Sequence, residues 1–189
     1  MDKGAWGEIK GELDSWKERP DRSQPFFFQR SNLLTHESKL QFDSETYRTV
    51  ATRHDREQAL IHPSLPATDL VRYTYATFYD RIADSDAELG RLIDMLEQEG
   101  ELDNTFIFYF GDNGGSLPGT KGYTDDIGIH VPLVVYIPDR WKEKLGVTLG
   151  SVEDEVVSFV DFAPTILRLA GIEIPDGMDG TPFLGADDN

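Results

Sequence analysis

Two short apolar runs, separated by a polar, glycine-rich loop, constrain the fold of this chain more than any other feature. The runs read "FIFYF" at residues 106–110 and "VPLVVYIP" at residues 131–138. Short runs rich in aromatic and β-branched residues favour strands over helices, and near-continuous apolar character is typical of strands covered on both faces. The sequence therefore predicts two buried strands joined by a polar loop.

Helical patterns lie on either side of this pair of strands. A long helix is predicted from about Thr68 to Glu99, with Gly100 as its end. Eight apolar residues within it fall at intervals suited to one helix face: Val71, Tyr75, Phe78, Ile82, Leu89, Leu92, Ile93 and Leu96. A second helix is predicted in "VDFAPTILRLAGI", residues 160–172. Strands that alternate with helices favour an α/β fold.

The beginning of the chain adds two further predicted elements. Apolar residues recur at helical spacing near the start of the chain: Trp6, Ile9, Leu13 and Trp16. The stretch "QPFFFQRSNLL", residues 24–34, is aromatic-rich and is predicted to be a short buried strand. His36 follows it and is expected at the end of that strand.

The composition excludes several classes of function. Asp and Glu number 35 and Lys and Arg number 18, so the net charge is −17 and the chain should repel nucleic acid and anionic membrane surfaces. No apolar run approaches the ~18 residues of a membrane span. The first residues lack the apolar segment of a signal peptide. Because the chain has no cysteine, disulfides and cysteine-ligated zinc are excluded, and the compartment stays unknown.

The polar loop holds the residues best suited to chemistry. Asp112 and Asn113 follow the first apolar run, and ligands of open α/β sheets bind at the carboxyl ends of strands. Their oxygens are the hard ligands that Ca²⁺ or Mg²⁺ prefers, and Lys121 could bind an anion shared with such a metal. The alternative is that "DNGG" is an ordinary turn after a strand. Asp125 and Asp126 are expected to be solvated or to orient Lys121.

Histidine is the side chain best placed to donate a proton near neutral pH, and His36 is a candidate for that role. The alternative is that His36 is structural or exposed. His54, His62 and His130 are assigned no role. The sequence contains no Gly-x-Ser-x-Gly elbow, P-loop or Gly-x-Gly-x-x-Gly motif.

Taken together, these segments resemble the sulfatase family of the alkaline phosphatase superfamily. Four stretches match in order: "QPFFFQRSNLLTHES", "ATFYDRIADSDAELGRLIDMLEQEGELDNTFIFYFGDNG", "LPGTKGYTDDIGIHVPLVVYIP" and "VSFVDFAPTILRLAGIEIPDGMDGTPFLG". The resemblance covers about residues 24–185 and implies that residues 1–189 are a partial sulfatase catalytic domain. It also implies an incomplete alkaline-phosphatase-like α/β sandwich, with a mostly parallel sheet and helices on both faces.

The resemblance gives the candidate residues their roles. Asp112 and Asn113 match two of the four ligands of the family's Ca²⁺, for which Mg²⁺ is a possible substitute. Lys121 matches the lysine that binds the sulfate oxygens. His36 matches the histidine that contacts the sulfate and assists the departing alcohol oxygen. The implied reaction is Ca²⁺-dependent hydrolysis of a sulfate ester on a small molecule or a glycan.

The sequence departs from the family's pattern in its nucleophile. Family members use a formylglycine made within a Cys/Ser-x-Pro-x-Arg motif, and this chain has neither form of it. The Asp-Asp pair of the family's first strand has no counterpart either. We therefore expect a fragment that lacks the N-terminal half of the protein and is inactive alone. The family is often periplasmic or secreted.

Two other interpretations remain open. One is a phosphoester or phosphonate hydrolase of the same superfamily, since fold does not fix the substrate. The other is a non-catalytic relic that binds a sulfated glycan through the retained residues.

Overall fold

The computed structural model describes residues 15–148 and 150–185. In these ranges the helices and strands follow one another as α1 (Ser44–Thr49), α2 (Asp69–Gln98), β1 (Ile107–Phe110), α3 (Asp126–Ile129), β2 (Leu133–Tyr136), α4 (Lys142–Leu145) and α5 (Phe162–Leu169). Short 3₁₀ helices lie at Ser15–Glu18, Glu37–Leu40, Arg56–Gln58, Leu102–Asn104, Asp139–Trp141 and Phe159–Asp161. No helix in this part of the chain combines the length and the apolar character needed to cross a membrane.

The chain forms two compact units. Of the described residues, the first contains 15–100 and 109–134, and the second contains 101–108, 135–148 and 150–185. His36, Asp112, Asn113 and Lys121 all belong to the first unit. The single partial domain expected from the sequence stays a prediction.

Helix α2 confirms the predicted long helix within one residue at each end. The hydroxyl of Thr68 accepts a hydrogen bond from the amide N–H of Val71 at 3.3 Å, which satisfies an otherwise unpaired donor of the first turn. Gly100 follows the helix with a φ of +70°, a left-handed conformation that glycine adopts without steric cost. The sequence therefore specified both ends of α2.

The buried face of α2 differs from the predicted apolar stripe. Tyr75 and Leu96 are buried as expected, whereas Ile82 is 43% exposed. The buried residues of α2 also include polar ones: Asp80, Ser85 and Glu88. These buried polar side chains form hydrogen bonds and ion pairs with neighbouring segments of the chain. A prediction based on the spacing of apolar residues cannot detect such contacts.

Strands β1 and β2 confirm the two predicted strands and the mixed α/β class, and they pair antiparallel in a two-stranded sheet. The predicted burial on both faces is wrong for these strands, since Phe110 is 40% and Val134 is 62% exposed. A two-stranded sheet has no third strand to cover its edges, so only part of each strand is shielded. The sandwich with a mostly parallel sheet is not seen in the described residues and stays a prediction.

The predicted strand at residues 24–34 is wrong, because these residues form no regular secondary structure apart from turns. The segment is attached to α2 through side-chain contacts rather than through the backbone hydrogen bonds of a β-sheet. The amide of Asn32 donates a hydrogen bond to the Ser85 hydroxyl at 3.0 Å, and Arg30 pairs with Glu88 at 3.3 Å. His36 therefore does not follow a strand.

Of the predicted N-terminal helix, Trp6, Ile9 and Leu13 lie outside the described residues. Trp16 lies in the 3₁₀ helix Ser15–Glu18 and is buried. Its ring stacks on that of Phe26, with 5.3 Å between the ring centroids. This stacking attaches the start of the described chain to the first unit.

The second unit is organised around α5, which confirms the second predicted helix. Asp161 precedes α5, and its carboxylate accepts hydrogen bonds at 2.8 Å from the amide N–H groups of Ser158 and Thr181. These two bonds lower the pKa of Asp161 below its usual value. Thr165 of α5 is fully buried and bonds to the backbone of Asp161 and of Phe183. One short polar network thus fixes three separate stretches of chain.

Candidate functional site

The functional residues predicted from the sequence lie on two loops of the first unit that are tied together. One loop contains His36. The other, here called the lysine loop, comprises residues 116–125 and contains Lys121. The hydroxyl of Ser116 donates a hydrogen bond to the C=O of Thr35 at 2.8 Å, although the two residues are far apart in the chain. This bond brings the start of the lysine loop to the residue preceding His36.

The ring of His36 has a defined orientation. His36 is the N-cap of the 3₁₀ helix Glu37–Leu40, and its Nδ1 accepts a hydrogen bond from the amide N–H of Ser38 at 3.2 Å. The hydroxyl of Ser38 lies 3.0 Å from the same nitrogen. Because an amide N–H can only donate, Nδ1 must be the acceptor, and the neutral ring carries its proton on Nε2. The main chain therefore selects the tautomer whose Nε2–H is available to another group.

The side chains of His36 and Lys121 converge on one carboxylate. The Nζ of Lys121 lies 2.6 Å from Oε2 of Glu37, and Nε2 of His36 lies 3.8 Å from Oε1 of the same residue. The hydrogen bond from Lys121 lowers the pKa of Glu37 below its usual value, so Glu37 is ionised near neutral pH. The structure thus brings together the two residues expected to bind an anion, and an anionic group lies between them.

Glu37 was missed by the sequence interpretation, which considered Asp125 and Asp126 as partners of Lys121. Both aspartates are exposed, as the alternative expectation held, and Lys121 pairs with Glu37 instead. A signal was present in the sequence, since Glu37 directly follows His36 in "THES". Nothing in that spacing, however, indicates that Lys121 lies next to it.

The Asp112-Asn113 pair lies where the sequence placed it, directly after β1. The Asp112 side chain is exposed and that of Asn113 is half-buried. Neither makes a hydrogen bond or an ion pair with any residue in 15–148 or 150–185, so their oxygens are available to a ligand. No contact of this kind joins the pair to His36 or Lys121 among the described residues.

The backbone of this turn is held by glycines. The amide N–H of Gly114 donates to the C=O of Gly128 at 2.8 Å, and a Cβ at Gly114 would lie 2.5 Å from the carbonyl oxygen of Ile127. A Cβ at Gly128 would in turn collide with the C=O of Tyr123. Gly114 is therefore required for close packing against α3.

The donors at this turn suit a hard cation. One carboxylate and one amide supply oxygen ligands of the kind that Ca²⁺ and Mg²⁺ prefer. Among the residues that the structure describes, no group of three or more acidic or histidine side chains could hold a metal. Asp112 and Asn113 thus fit as two ligands of a site that needs further oxygens.

The other histidines have structural partners or lie elsewhere. Nδ1 of His54 lies 2.6 Å from Oδ1 of Asp80, and His130 is exposed and lies 3.6 Å from Asp126. His62 contributes to a cavity of about 410 Å³. The cavity is lined by Leu60, Ile61, His62, Ser64, Tyr75, Leu117, Pro118, Gly119, Thr120, Asp125 and Ile127. Four of these residues immediately precede Lys121, so the cavity adjoins the lysine loop.

Comparison with known proteins identifies the family. The sulfatase family model matches residues 8–172. An ulvan-active sulfatase of Formosa agariphila is 31% identical over an alignment of 212 positions, gaps included, that covers 96% of this chain and 34% of that protein. An N-acetylglucosamine-6-O-sulfatase of Bacteroides thetaiotaomicron is 38% identical over 100 residues, 50% of this chain and 17% of that protein.

An arylsulfatase of Clostridium perfringens is 32% identical over 109 residues, 56% of this chain and 22% of that protein. The chain thus spans about a third or less of the length of these relatives. The range matched by the family model, residues 8–172, spans the positions of His36, Asp112, Asn113 and Lys121. The chain belongs to the sulfatase family of enzymes.

Proposed function

We propose that this chain supplies part of the active site of a Ca²⁺-dependent sulfatase, which hydrolyses a sulfate ester. One observation supports this most directly: the cationic end of Lys121 and the Nε2–H of His36 face the two oxygens of a single carboxylate. Two oxygens of a sulfate group can occupy the same positions. Membership of the sulfatase family supports the choice of sulfate as the anion.

Each of the two donors has a distinct role in this proposal. Lys121 binds the sulfate oxygens and stabilises their negative charge. His36 donates a hydrogen bond from its Nε2–H to the bridging oxygen: as the S–O bond to the alcohol breaks, that oxygen keeps the electron pair, the hydrogen bond stabilises its growing negative charge, and water supplies the proton. The amide N–H of Ser38 supports this role, since it holds Nδ1 as an acceptor and leaves the proton on Nε2.

Asp112 and Asn113 would hold Ca²⁺, with Mg²⁺ as a possible substitute. Bound there, the cation supplies Lewis-acid stabilisation of negative charge on the sulfuryl oxygens. Since two ligands are half of the family's four, we expect this chain alone to bind Ca²⁺ weakly. The remaining ligands and the formylglycine nucleophile would have to come from outside these 189 residues, because the sequence has no Cys-x-Pro-x-Arg or Ser-x-Pro-x-Arg motif.

The substrate class follows from the relatives and from the cavity. One relative is named for ulvan and another for N-acetylglucosamine, so we propose a sulfated glycan or a small sulfated molecule as the substrate. The cavity next to the lysine loop offers apolar walls together with His62, Ser64 and Asp125, which suit a sugar ring and its hydroxyls.

Binding of methyl sulfate by the 189-residue chain in the presence of Ca²⁺ tests the anion site. We expect Lys121→Ala to abolish the binding. Lys39→Ala is the matched control, since it removes a lysine from the 3₁₀ helix that contains Glu37 and should leave binding unchanged. Equal binding by the wild type and by Lys121→Ala would refute the assignment of the site.

Turnover and gene context test the catalytic part. We expect no hydrolysis of nitrophenyl sulfate by the purified chain, because the nucleophile is not among its residues. Sequencing of the DNA upstream of the Met1 codon should reveal a Cys-x-Pro-x-Arg motif and an Asp-Asp strand. An unrelated gene at that position, combined with methyl sulfate binding, would favour a non-catalytic sulfated-glycan-binding protein.

A further inference from the structure

Within residues 15–148 and 150–185, Glu37 is the charged residue that lies against both proposed anion-binding groups, Lys121 and His36. Its carboxylate oxygens face Lys121 Nζ at 2.6 Å and His36 Nε2 at 3.8 Å. About half of the side chain is exposed. The contact is therefore between an internal anion and the groups expected to bind an external one.

An external anion can use these donors only if the Glu37 carboxylate moves aside, and it cannot move far. Glu37 directly follows His36 in the chain and begins the 3₁₀ helix Glu37–Leu40. The amide N–H of Ser38 bonds to the His36 ring and fixes the backbone on both sides of Glu37. A displaced Glu37 side chain consequently remains next to the bound ligand, and it is still a carboxylate at neutral to alkaline pH because glutamate ordinarily ionises near pH 4.

This residual charge penalises ligands according to their own charge. A sulfate monoester carries one negative charge, whereas a phosphate monoester carries nearly two above its second pKa of about 6. The Coulomb energy is proportional to the product of the two charges, so the penalty on a dianion is about twice that on a monoanion. Because affinity depends exponentially on energy, the fold-loss of affinity that Glu37 causes for a dianion is the square of the fold-loss that it causes for a monoanion.

We propose, on the basis of the sulfatase function proposed above, that Glu37 is a specificity-determining residue that selects monoanionic sulfate esters over dianionic phosphate esters. For a charge about 5 Å from the bound anion in a half-exposed site, Glu37 lowers sulfate ester affinity roughly fivefold and phosphate ester affinity roughly twenty-fivefold. The cost in sulfate affinity is thus offset by discrimination against phosphate.

The experiment compares the dissociation constants of methyl sulfate and methyl phosphate at about pH 8, where the phosphate is dianionic. The proteins are the 189-residue chain, Glu37→Gln and Glu57→Gln. Glu57 is the matched control, because it also lies in a 3₁₀ helix of the first unit and pairs with an arginine, Arg72, at 3.8 Å. Both variants remove one negative charge, and matching amide NMR spectra would verify that both are folded.

We expect Glu37→Gln to bind both anions more tightly and to raise the methyl phosphate affinity about five times more than the methyl sulfate affinity. Glu57→Gln should leave the dissociation constants of both anions unchanged. Equal gains for the two anions would overturn the specificity role. Weaker binding of both anions by Glu37→Gln would overturn it too, since that result would make Glu37 a support for Lys121.

The outcome also separates this inference from the proposed function. If the wild type binds methyl sulfate and Lys121→Ala does not, the anion site stands whatever Glu37→Gln shows. If neither the wild type nor Glu37→Gln binds either anion, the anion site itself is refuted, and with it the role of Glu37.

Discussion

Replacement of Thr165 by valine is expected to destabilise the second unit by about 2–4 kcal/mol. The side chain is fully buried, and valine has nearly the same shape, so the change removes polar contacts without a large cavity. The Thr165 hydroxyl donates to the C=O of Asp161 at 2.6 Å and accepts from the amide N–H of Phe183 at 3.1 Å.

The magnitude follows from these two contacts. Each hydrogen bond contributes about 1 kcal/mol net, and a buried amide left without a partner costs about 1–3 kcal/mol. The Phe183 amide loses its acceptor in the variant, whereas the C=O of Asp161, at the N-cap of α5, still accepts the first backbone hydrogen bond of the helix. The sum is about 2–4 kcal/mol, most of it from the Phe183 amide.

Urea unfolding and amide hydrogen exchange measure the effect. The exchange rate of the Phe183 amide should rise in Thr165→Val, because its hydrogen bond is lost. Thr74→Val is the matched control: the Thr74 hydroxyl also donates to a carbonyl four residues earlier, that of Leu70, at 2.9 Å, but it bonds to no second group among the described residues. We expect the control to change stability by less than about 0.5 kcal/mol. Equal, small effects of both variants, with unchanged exchange at Phe183, would refute the reasoning.

Three further outcomes are expected. Burial raises the pKa of Asp80, but hydrogen bonds from His54 and from backbone amides outweigh burial and lower the pKa overall. The stability that ionised Asp80 contributes is therefore fully present above its ordinary pKa of about 4, and it is lost as the pH falls through the lower pKa of the folded state. Urea unfolding below about pH 4 should therefore depend less steeply on pH in Asp80→Asn than in the wild type. Gly114→Ala should be destabilised by at least about 1 kcal/mol, because its Cβ would meet the backbone of α3 at 2.5 Å; an unchanged melting temperature would contradict the close packing. Calorimetric titration should show weak Ca²⁺ binding by the wild type and weaker binding by Asp112→Asn. Asp126→Asn, which changes an exposed aspartate, is the control and should bind Ca²⁺ as the wild type does. An equal loss of affinity in both variants would indicate a general effect of charge.

The sequence predicted the elements whose signals are local. The ends of α2 depend on a capping hydroxyl at Thr68 and a glycine at Gly100, and each acts within a few residues of its own position. The strands β1 and β2 were found for a similar reason, since short apolar runs bounded by polar turns are recognisable in isolation. Their pairing direction was not found, because it depends on a partner that the run itself does not specify.

The errors arose where polar side chains determine the structure. Residues 24–34 have the composition of a buried strand, yet Arg30 and Asn32 attach them to polar residues of α2. The candidate site shows the same limit. The sequence pointed to His36 and Lys121 and the resemblance to a family gave them roles, but the pairing of Lys121 with Glu37 joins residues from distant parts of the chain and has no local signature.

The close contact between Gly114 and Gly128 has a consequence for how this region can vary. Because main-chain atoms fix the Asp112-Asn113 turn against α3, its backbone is already ordered before any cation arrives, and little conformational entropy is left to lose on binding. The lysine loop leaves this fixed turn and returns to it at α3. Its length and composition can change without displacing the two proposed oxygen ligands, so substrate preference can diverge while the proposed cation site keeps its shape.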